Sequence, residues 1–200
     1  MILGITGGIG SGKTIVCRIF RILKVPVFSA DDEARKIMET SGEIIRQITL
    51  IAGEHIYNNG ILQRKELARL IFSNFEILRK VNETVHPEVF RRFSGWVNEQ
   101  HHPYVIMEAA ILFESGADKL VDKVLTVTAP EEERIRRVAS RNMISEEEVV
   151  ERIRNQFDDN FRINLSDFVI DNPGNKLIIP EVLKIHEEMM LLSAIQWVAF

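Results

Sequence analysis

The chain has 200 residues, of which 46% are hydrophobic and 27% are charged; this composition excludes a disordered protein and can supply one substantial core. Its formal net charge of −4 argues against binding of nucleic acid through bulk electrostatics, so we expect no nucleic-acid partner. Cys17 is the only cysteine, which excludes an intrachain disulfide and fits a reducing cytoplasm.

Nothing in the sequence predicts export or a membrane partner. The opening residues MILGIT are followed by glycines rather than by a basic segment, a long apolar stretch and a cleavage site, so we expect no secretory signal. No apolar run approaches the roughly 18 residues that a membrane-spanning helix needs. We therefore expect a cytoplasmic protein.

Short runs of β-branched and apolar residues predict strands, and longer stretches of helical period separate them. The predicted strands are Ile2–Thr6, Val25–Ser29, Tyr104–Glu108, Val121–Val127 and Phe168–Asp171. They are apolar nearly throughout rather than at alternate positions, which is typical of parallel strands covered on both faces. The predicted fold is therefore α/β, with a parallel five-stranded sheet in a three-layer α/β/α arrangement.

A glycine-rich turn joins the first predicted strand to the first predicted helix, whose apolar face we expect to include Ile15, Val16, Ile19, Phe20 and Leu23. Residues 7–14 read GGIGSGKT and match the phosphate-loop pattern G-x-x-x-x-G-K-[ST] in this strand-to-helix context. The alternative is a turn that only links the two elements. Backbone N–H groups of a phosphate loop surround a phosphate, and the helix N-terminus adds partial positive charge. The candidate ATP-binding residues are Gly8, Ile9, Gly10, Ser11, Gly12, Lys13 and Thr14.

The last two residues of the motif have distinct chemical roles. Lys13 can reach the β- and γ-phosphates of a nucleotide, and Thr14 can offer its hydroxyl to Mg²⁺. Phosphate binding alone leaves kinases, switch GTPases, motor ATPases and passive nucleotide binders open. Residues 175–178 read NKLI and lack the closing aspartate of the guanine-specific N-K-x-D motif, so we do not interpret them as that motif.

Asp31 follows the second predicted strand, in the run SADDEAR at residues 29–35. The carboxyl ends of parallel strands share one edge of a sheet, so Asp31 is expected beside the phosphate loop. A carboxylate there could accept the proton of an attacking hydroxyl or orient hydrated Mg²⁺. The alternative is an N-cap for the next helix, and Asp32 could serve in either capacity.

Two helical excursions interrupt the predicted sheet. About 70 residues separate Asp31 from Pro103, where a crossover needs only about a dozen. We predict one domain, divided into a core (1–41, 103–129 and 167–200), a helical substrate-binding insertion (42–102) and a helical lid (130–166). The insertion is expected to contain a turn at residues 58–60 and amphipathic helices at 65–72 and 87–97, with Pro87 in a first helical turn. Ser145 and Glu148 form a capping-box signature in the lid.

The segment from Pro130 to Arg162 contains seven arginines and no lysine. Six of these arginines have an acid three or four residues away, which predicts ion pairs on solvated helix faces such as Glu132–Arg136, Glu133–Arg137 and Glu148–Arg152. The other three of the six are Arg134, Arg154 and Arg162. Arg141 has no such neighbour and is the best candidate to close over a triphosphate, with Arg137 second.

Other features remain open from the residues alone. The pair His86-Pro87 is typical of a simple turn. Arg64, Arg91 and Arg92 could contact an anionic substrate or only solvent. The apolar tail from Met189 to Phe200 is expected to pack back on the core, the alternative being a contact with another subunit.

Six segments occur in an order and at a spacing that are specific in combination. They are TGGIGSGKT (6–14), SADDEAR (29–35), LQRKEL (62–67), HP (86–87), ILFES (111–115) and VIDNPG (169–174). Over essentially the whole chain, the sequence resembles the bacterial dephospho-CoA kinases. The resemblance implies a P-loop kinase fold and transfer of the γ-phosphate of ATP, with Mg²⁺, to the ribose 3′-hydroxyl of dephospho-CoA, which completes coenzyme A synthesis.

The resemblance also implies roles for single residues. Asp31 would be the general base, Lys13 and Thr14 would serve ATP and Mg²⁺, and Arg141 would be the lid arginine. The residues that it associates with dephospho-CoA are Arg35, Arg64 and His86, and those that it associates with adenine include Asn172 and Gly174.

Three residues depart from the family's usual pattern. Ser29 and Asn142 stand where aspartates are common, and Ala110 stands where proline is common, so a second metal carboxylate at position 29 is not expected. The alternatives to this function are a kinase of another small acceptor, such as a nucleoside monophosphate, and a non-catalytic nucleotide switch. A monomer or a weak homo-oligomer is expected.

Overall fold

The computed structural model describes residues 1–154 and 156–198. Its strands, in chain order, are β1 (Ile2–Thr6), β2 (Val27–Ser29), β3 (Tyr57–Asn58), β4 (Ile61–Leu62), β5 (Val105–Glu108), β6 (Lys123–Thr128) and β7 (Phe168–Asp171). Its α-helices are α1 (Lys13–Ile22), α2 (Ala30–Thr40), α3 (Gly42–Ala52), α4 (Arg64–Ser73), α5 (Phe75–Asn98), α6 (Glu131–Asn142), α7 (Glu146–Arg154), α8 (Asp159–Asn164) and α9 (Ile179–Val198). Short 3₁₀ turns occur at Glu54–Ile56 and Ala117–Leu120.

The described part of the chain divides into two compact units. One unit comprises Met1–Ser29 and the chain from Gln100 onward, and the other comprises Ala30–Glu99. The second unit thus starts with α2, whereas the predicted insertion starts at residue 42. The finer division into core, substrate-binding region and lid stays a prediction.

The first unit is built on a parallel sheet, which confirms the predicted α/β class and its three-layer arrangement. Within the described residues, the sheet has the strand order β2-β5-β1-β6-β7. The central strand β1 pairs with β5 on one side, where Ile5 lies opposite Glu108, and with β6 on the other, where Ile5 lies opposite Leu125. The carboxyl end of β1 is therefore a topological switch point, the place where open α/β sheets bind ligands.

Helix α1 packs on this sheet through a face that differs from the predicted one. Val16, Cys17 and Phe20 are fully buried, whereas Ile15 is 51% exposed. Cysteine behaves as a small hydrophobe, so the buried stripe runs through Cys17 rather than through Ile15. Burial also raises the pKa of the Cys17 thiol.

Three strands begin later than the sequence pattern predicts, β5 by a single residue at Val105. β2 begins at Val27 rather than at Val25, because Pro26 has no N–H to donate; its carbonyl instead accepts from the Ile106 N–H at 2.9 Å. β6 begins at Lys123, because Val121 ends the preceding 3₁₀ turn.

The second unit contains helices α2 to α5 and the hairpin of β3 and β4. Asn59 and Gly60 join the two strands with φ values of 49° and 78°. Two consecutive positive φ angles are typical of a type I′ hairpin turn, so the predicted turn at 58–60 is confirmed. Helix α4 likewise covers the predicted stretch 65–72.

Pro87 lies in the middle of α5, so the predicted helix start at this residue and the predicted turn at His86-Pro87 are both wrong. The helix begins after Asn74, whose Oδ1 accepts from the N–H groups of Glu76 and Ile77. Its buried face continues past the proline as Val81, Val85, Val89 and Phe93. Packing of this unbroken apolar stripe outweighs the cost of about 3 kcal/mol for an internal proline.

Two further sequence predictions concern helices α7 and α9 of the first unit. The Ser145 N–H donates to Glu148 Oε2 and the Glu148 N–H donates to Ser145 Oγ, which confirms the capping box. Met189 and Leu192 of α9 pack against the main core, as expected for the apolar tail, whereas Leu191 and Ile195 are exposed; Ala199 and Phe200 lie outside the described residues. None of the described helices is both long enough and apolar enough to cross a membrane.

Candidate active site

The phosphate loop occupies the switch point at the carboxyl end of β1. Gly12 has φ +105°, and a Cβ atom at this position would overlap the side-chain amide of Asn172. A residue with a side chain would therefore meet both backbone strain and a steric clash. The sequence needs glycine here so that the loop can turn into α1 against the end of β7.

Lys13 opens α1 and reaches back over the loop. Its Nζ donates to the carbonyl oxygen of Gly7 at 2.7 Å and to that of Gly8 at 3.4 Å. Gly12, at the N-cap position, has no side chain to occupy the first N–H groups of α1. The loop therefore combines an ammonium group with helix N–H donors, which is the chemistry that binds phosphate.

Two predicted nucleotide residues contact the loop directly. Asn172, only 6% exposed, donates from Nδ2 to the Ser11 carbonyl at 2.8 Å. Arg137 donates to the carbonyl oxygens of Gly10 at 3.3 Å and of Asn172 at 3.0 Å. Its Nε donates to Glu133 Oε1 at 2.9 Å, so the predicted Glu133–Arg137 pair is confirmed. Asn172 and Arg137 thus connect α6 and the end of β7 to the loop backbone.

Arg134 also lies against the loop, which the sequence reasoning missed. It is 4% exposed and donates to Asp159 at 2.8 Å, so the expectation of a solvated surface pair is wrong. A Cβ atom at Gly8 would overlap the Arg134 guanidinium. Its acid partner is 25 residues away, so spacing along one helix could not reveal the pair.

Arg162 is a second buried arginine: its predicted pair with an acid three or four residues away is confirmed, but the expected exposure to solvent is wrong. It is 1% exposed and donates to Asp159 Oδ1 and Glu114 Oε1, each at 3.0 Å. Glu114 Oε1 also accepts from the Phe157 N–H at 3.0 Å. Glu114 of the ILFES segment is the feature of the sequence that could have predicted this buried pair, because an acid in an otherwise apolar run implies a buried partner.

Gln156 supplies a further contact that the sequence did not predict. Its Oε1 accepts from the backbone N–H of Ile9 at 2.8 Å. The segment between α7 and α8 therefore meets the phosphate loop directly.

Arg141 is not part of these loop contacts. It lies exposed in the last turn of α6, and its Nε donates to Asn142 Oδ1 at 3.1 Å. Nearby, Arg136 pairs with Glu133 at 2.7 Å. Glu133 lies three residues before Arg136, whereas the predicted partner, Glu132, lies four residues before it.

Gly174 has φ +93°, and a Cβ atom there would lie 2.8 Å from Arg137 Nη2.

The polar atoms at the loop fit a phosphate ligand with a magnesium ion. Among the described residues, the Ser11 hydroxyl is buried without a hydrogen-bond partner, while the Thr14 side chain is exposed. A hydroxyl is the type of hard oxygen ligand that Mg²⁺ accepts, together with phosphate oxygens and water. No cluster of three His, Cys, Asp or Glu side chains able to hold a metal occurs in the described ranges.

Asp31 and its neighbours belong to the second unit. Helix α2 begins at Ala30, so Asp31 and Asp32 lie inside its first turn rather than at the N-cap, where the helix dipole still favours carboxylates. Asp32 accepts from Arg35 at 3.0 Å on the surface. Glu33, one residue further, pairs with Arg92 of α5 at 2.6 Å.

The remaining predicted substrate residues also lie in the second unit. Arg64 donates to Glu39 Oε1 at 2.6 Å. His86 is partly buried on α5 and stacks on Phe90 with a centroid separation of 6.0 Å; burial lowers the pKa of its imidazole.

Arg91 and Arg92 both pair with Glu88 of the same helix. Arg91 donates two hydrogen bonds to this carboxylate at 2.7 Å, and Arg92 donates one at 3.0 Å. The hydrogen bonds from Arg91 chiefly lower the pKa of Glu88, to about 2. The guanidinium groups of Arg91 and Arg92 therefore bind a protein carboxylate in addition to contacting solvent.

Comparison with known proteins identifies the family. The family model described as dephospho-CoA kinase matches residues 1–177. The dephospho-CoA kinase of Porphyromonas gingivalis is 38% identical over 92% of each chain, and that of Bacteroides fragilis strain YCH46 is 36% identical over 92% of this chain and 90% of the relative. The crystal structure of TT1252 from Thermus thermophilus has a TM-score of 0.83 and 35% identity, covering 94% of this chain and 96% of that one. The chain belongs to the dephospho-CoA kinase family.

Proposed function

We propose that this protein transfers the γ-phosphate of ATP to the ribose 3′-hydroxyl of dephospho-CoA, the last step of coenzyme A synthesis. The observation that carries the proposal is a complete phosphate loop in a chain that matches the dephospho-CoA kinase family over residues 1–177. The related proteins from Porphyromonas gingivalis and Bacteroides fragilis bear the name of this activity.

The donor half of the site is the phosphate loop with its supporting side chains. The Ile9 N–H donates to Gln156, so other backbone N–H groups of the loop would hold the phosphates of ATP, and the Lys13 ammonium would leave the Gly7 carbonyl for the β- and γ-phosphates. Thr14 would hold Mg²⁺ together with phosphate oxygens. When bound, the ion neutralises charge on the phosphates during transfer. Asn172 and Gly174, at the end of β7, would contribute to the adenine side.

Asp31 would be the general base of the acceptor half. β1 and β2 are parallel strands of one sheet, so they end at the same edge, and Asp31 is the second residue after β2. Its carboxylate would take the proton of the ribose hydroxyl as the oxygen attacks the γ-phosphate.

Arg35, Arg64 and His86 would bind dephospho-CoA. The side chains of Arg35 and Arg64 are 55% and 59% exposed, so an anionic substrate could reach both guanidinium groups. Their present partners, Asp32 and Glu39, would be exchanged for substrate phosphate, to which a guanidinium can donate two hydrogen bonds.

Arg141 would complete the site from the lid. Its exposed position at the end of α6 leaves the guanidinium accessible, and Arg137 of the same helix already contacts the loop. A closed lid would bring positive charge to the transferring phosphoryl group and exclude water, which would otherwise hydrolyse ATP.

One assay tests the proposal. ADP release is measured with dephospho-CoA, with a panel of nucleoside monophosphates, and without an acceptor. We expect stimulation by dephospho-CoA alone. Stimulation by a nucleoside monophosphate but not by dephospho-CoA would reassign the acceptor, and no stimulation by any acceptor would favour a nucleotide switch.

A further inference from the structure

We infer that Gln156 is a positioning residue, which holds the phosphate loop in its nucleotide-binding shape through the backbone N–H of Ile9. This inference rests on the proposal that the loop binds the phosphates of ATP. Gln156 would touch neither substrate, because it acts through the loop backbone. Gln156 would thus be a residue outside the phosphate-loop motif that helps to determine the affinity for ATP.

The contact itself is well formed. Gln156 Oε1 lies 2.8 Å from the Ile9 nitrogen, within the usual range for an N–H to oxygen hydrogen bond. The side chain comes from the segment between α7 and α8, 147 residues later in the chain. The Gln156 backbone is fixed in turn, because its N–H donates to the Ile153 carbonyl at 3.0 Å.

The segment that carries Gln156 is anchored by buried charges. The next residue, Phe157, donates its N–H to Glu114. Asp159 accepts from both Arg134 and Arg162, and Arg162 also donates to Glu114. Because both arginines are almost completely buried, moving this segment would leave charged groups without partners in a region of low dielectric. The position of the Gln156 side chain is therefore well determined.

Two consecutive loop residues are held from this side. Arg134 packs against Gly8, and Gln156 binds Ile9. The phosphate loop and the helical region from α6 to α8 therefore fix each other's position. A loop that is already ordered loses less conformational entropy when a nucleotide binds, so this constraint favours ATP binding.

The test uses three variants and two measurements. Gln156→Leu removes the acceptor at similar volume, Gln156→Glu keeps an acceptor oxygen, and Gln47→Leu makes the same exchange as Gln156→Leu at a surface residue of α3. Hydrogen exchange of the Ile9 amide reports the contact directly. The dissociation constant for ATP, measured by calorimetry, reports its effect on the nucleotide.

In Gln156→Leu, we expect Ile9 amide exchange to accelerate by about tenfold or more as the local opening becomes easier. ATP should bind about threefold to tenfold more weakly, the scale of one lost hydrogen bond. Gln156→Glu should keep the protection of Ile9, and Gln47→Leu should change neither quantity. Should Gln156→Leu fail to fold, Gln156→Met offers a second side chain of similar length without an oxygen acceptor.

Unchanged Ile9 exchange in Gln156→Leu would overturn the inference, as would faster exchange with unchanged ATP affinity. Equal loss of Ile9 protection in the Leu and Glu variants would also overturn it, because shape rather than the acceptor would then matter. Neither measurement involves dephospho-CoA. A different phosphate acceptor would therefore contradict the proposed function and leave this inference standing.

Discussion

The side-chain amide of Asn172, at the end of β7, donates to the carbonyl of Ser11 in the phosphate loop across 2.8 Å. The two residues are 161 positions apart in the chain, and both are buried. The carboxyl ends of β1 and β7 are thus connected through the loop. The shape of the loop depends on this connection as well as on its own glycines.

Replacing Asn172 by leucine should weaken both folding and nucleotide binding. The Ser11 carbonyl would remain buried without its donor, which costs about 1–3 kcal/mol. Urea denaturation should show this loss in the free energy of unfolding, and the dissociation constant for ATP should rise. The matched control is Asn98→Leu at the exposed end of α5, which should leave both values nearly unchanged. Wild-type stability and ATP affinity in Asn172→Leu would contradict this role.

Asp31→Asn should depress turnover by about a hundredfold or more, the scale of a lost general base. ATP binding should remain near the wild-type value, because the exchange keeps the size of the side chain and lies outside the phosphate loop. Steady-state kinetics and calorimetry measure the two quantities separately. Asp32→Asn is the control, since Asp32 is exposed and pairs with Arg35. Near-wild-type turnover in Asp31→Asn would remove this residue from the mechanism, and a larger loss in Asp32→Asn would transfer the role to its neighbour.

Arg162→Met should lower the free energy of unfolding by about 3–5 kcal/mol, because it leaves the carboxylate of Glu114 without its buried arginine and leaves Asp159 with Arg134 alone. The comparison variant is Arg136→Met. Arg136 is 75% exposed in its pair with Glu133, and such surface pairs contribute about 1 kcal/mol or less. Urea denaturation of both variants measures the difference. Equal stability losses would show that the burial of Arg162 has no energetic consequence.

His86 should make the stability of the protein depend on pH. Burial lowers the pKa of this imidazole in the folded state, so the unfolded chain binds a proton more readily. The contribution of His86 to the free energy of unfolding is therefore fully present above its unfolded pKa of about 6.5. It is lost as the pH decreases through the lowered pKa of the folded state. In His86→Gln, the slope of unfolding free energy against pH should be smaller below pH of about 6.5. An unchanged slope would exclude His86 as its source.

Local sequence signals predicted much of the fold. The strands, the phosphate loop, the turn at Asn59-Gly60 and the capping box at Ser145 each depend on residues within a few positions of one another. Their geometry follows from backbone preferences and short-range hydrogen bonds. The α/β class followed from the same local patterns, because apolar strands alternate with helices.

Several of the errors originate in contacts between distant residues. Arg134 is buried against Asp159, 25 residues away. Arg162 does pair with Asp159, three residues before it, but its second partner, Glu114, is 48 residues away. Pro87 was expected to begin a helix, but the packing of the α5 face continues across it. Side-chain partners of this kind cannot be found from spacing on a single helix.

The side chains that pack against the glycines of the phosphate loop limit the transfer of this motif to other proteins. Gly8 lies against Arg134 and Gly12 lies against Asn172, and both partners come from the last third of the chain. Grafting GGIGSGKT between a strand and a helix of an unrelated scaffold would transfer the glycines without the side chains that support them. A successful graft would need the equivalents of Arg134, Arg137, Gln156 and Asn172 in the recipient. The site therefore depends on a three-dimensional arrangement of residues rather than on eight consecutive residues.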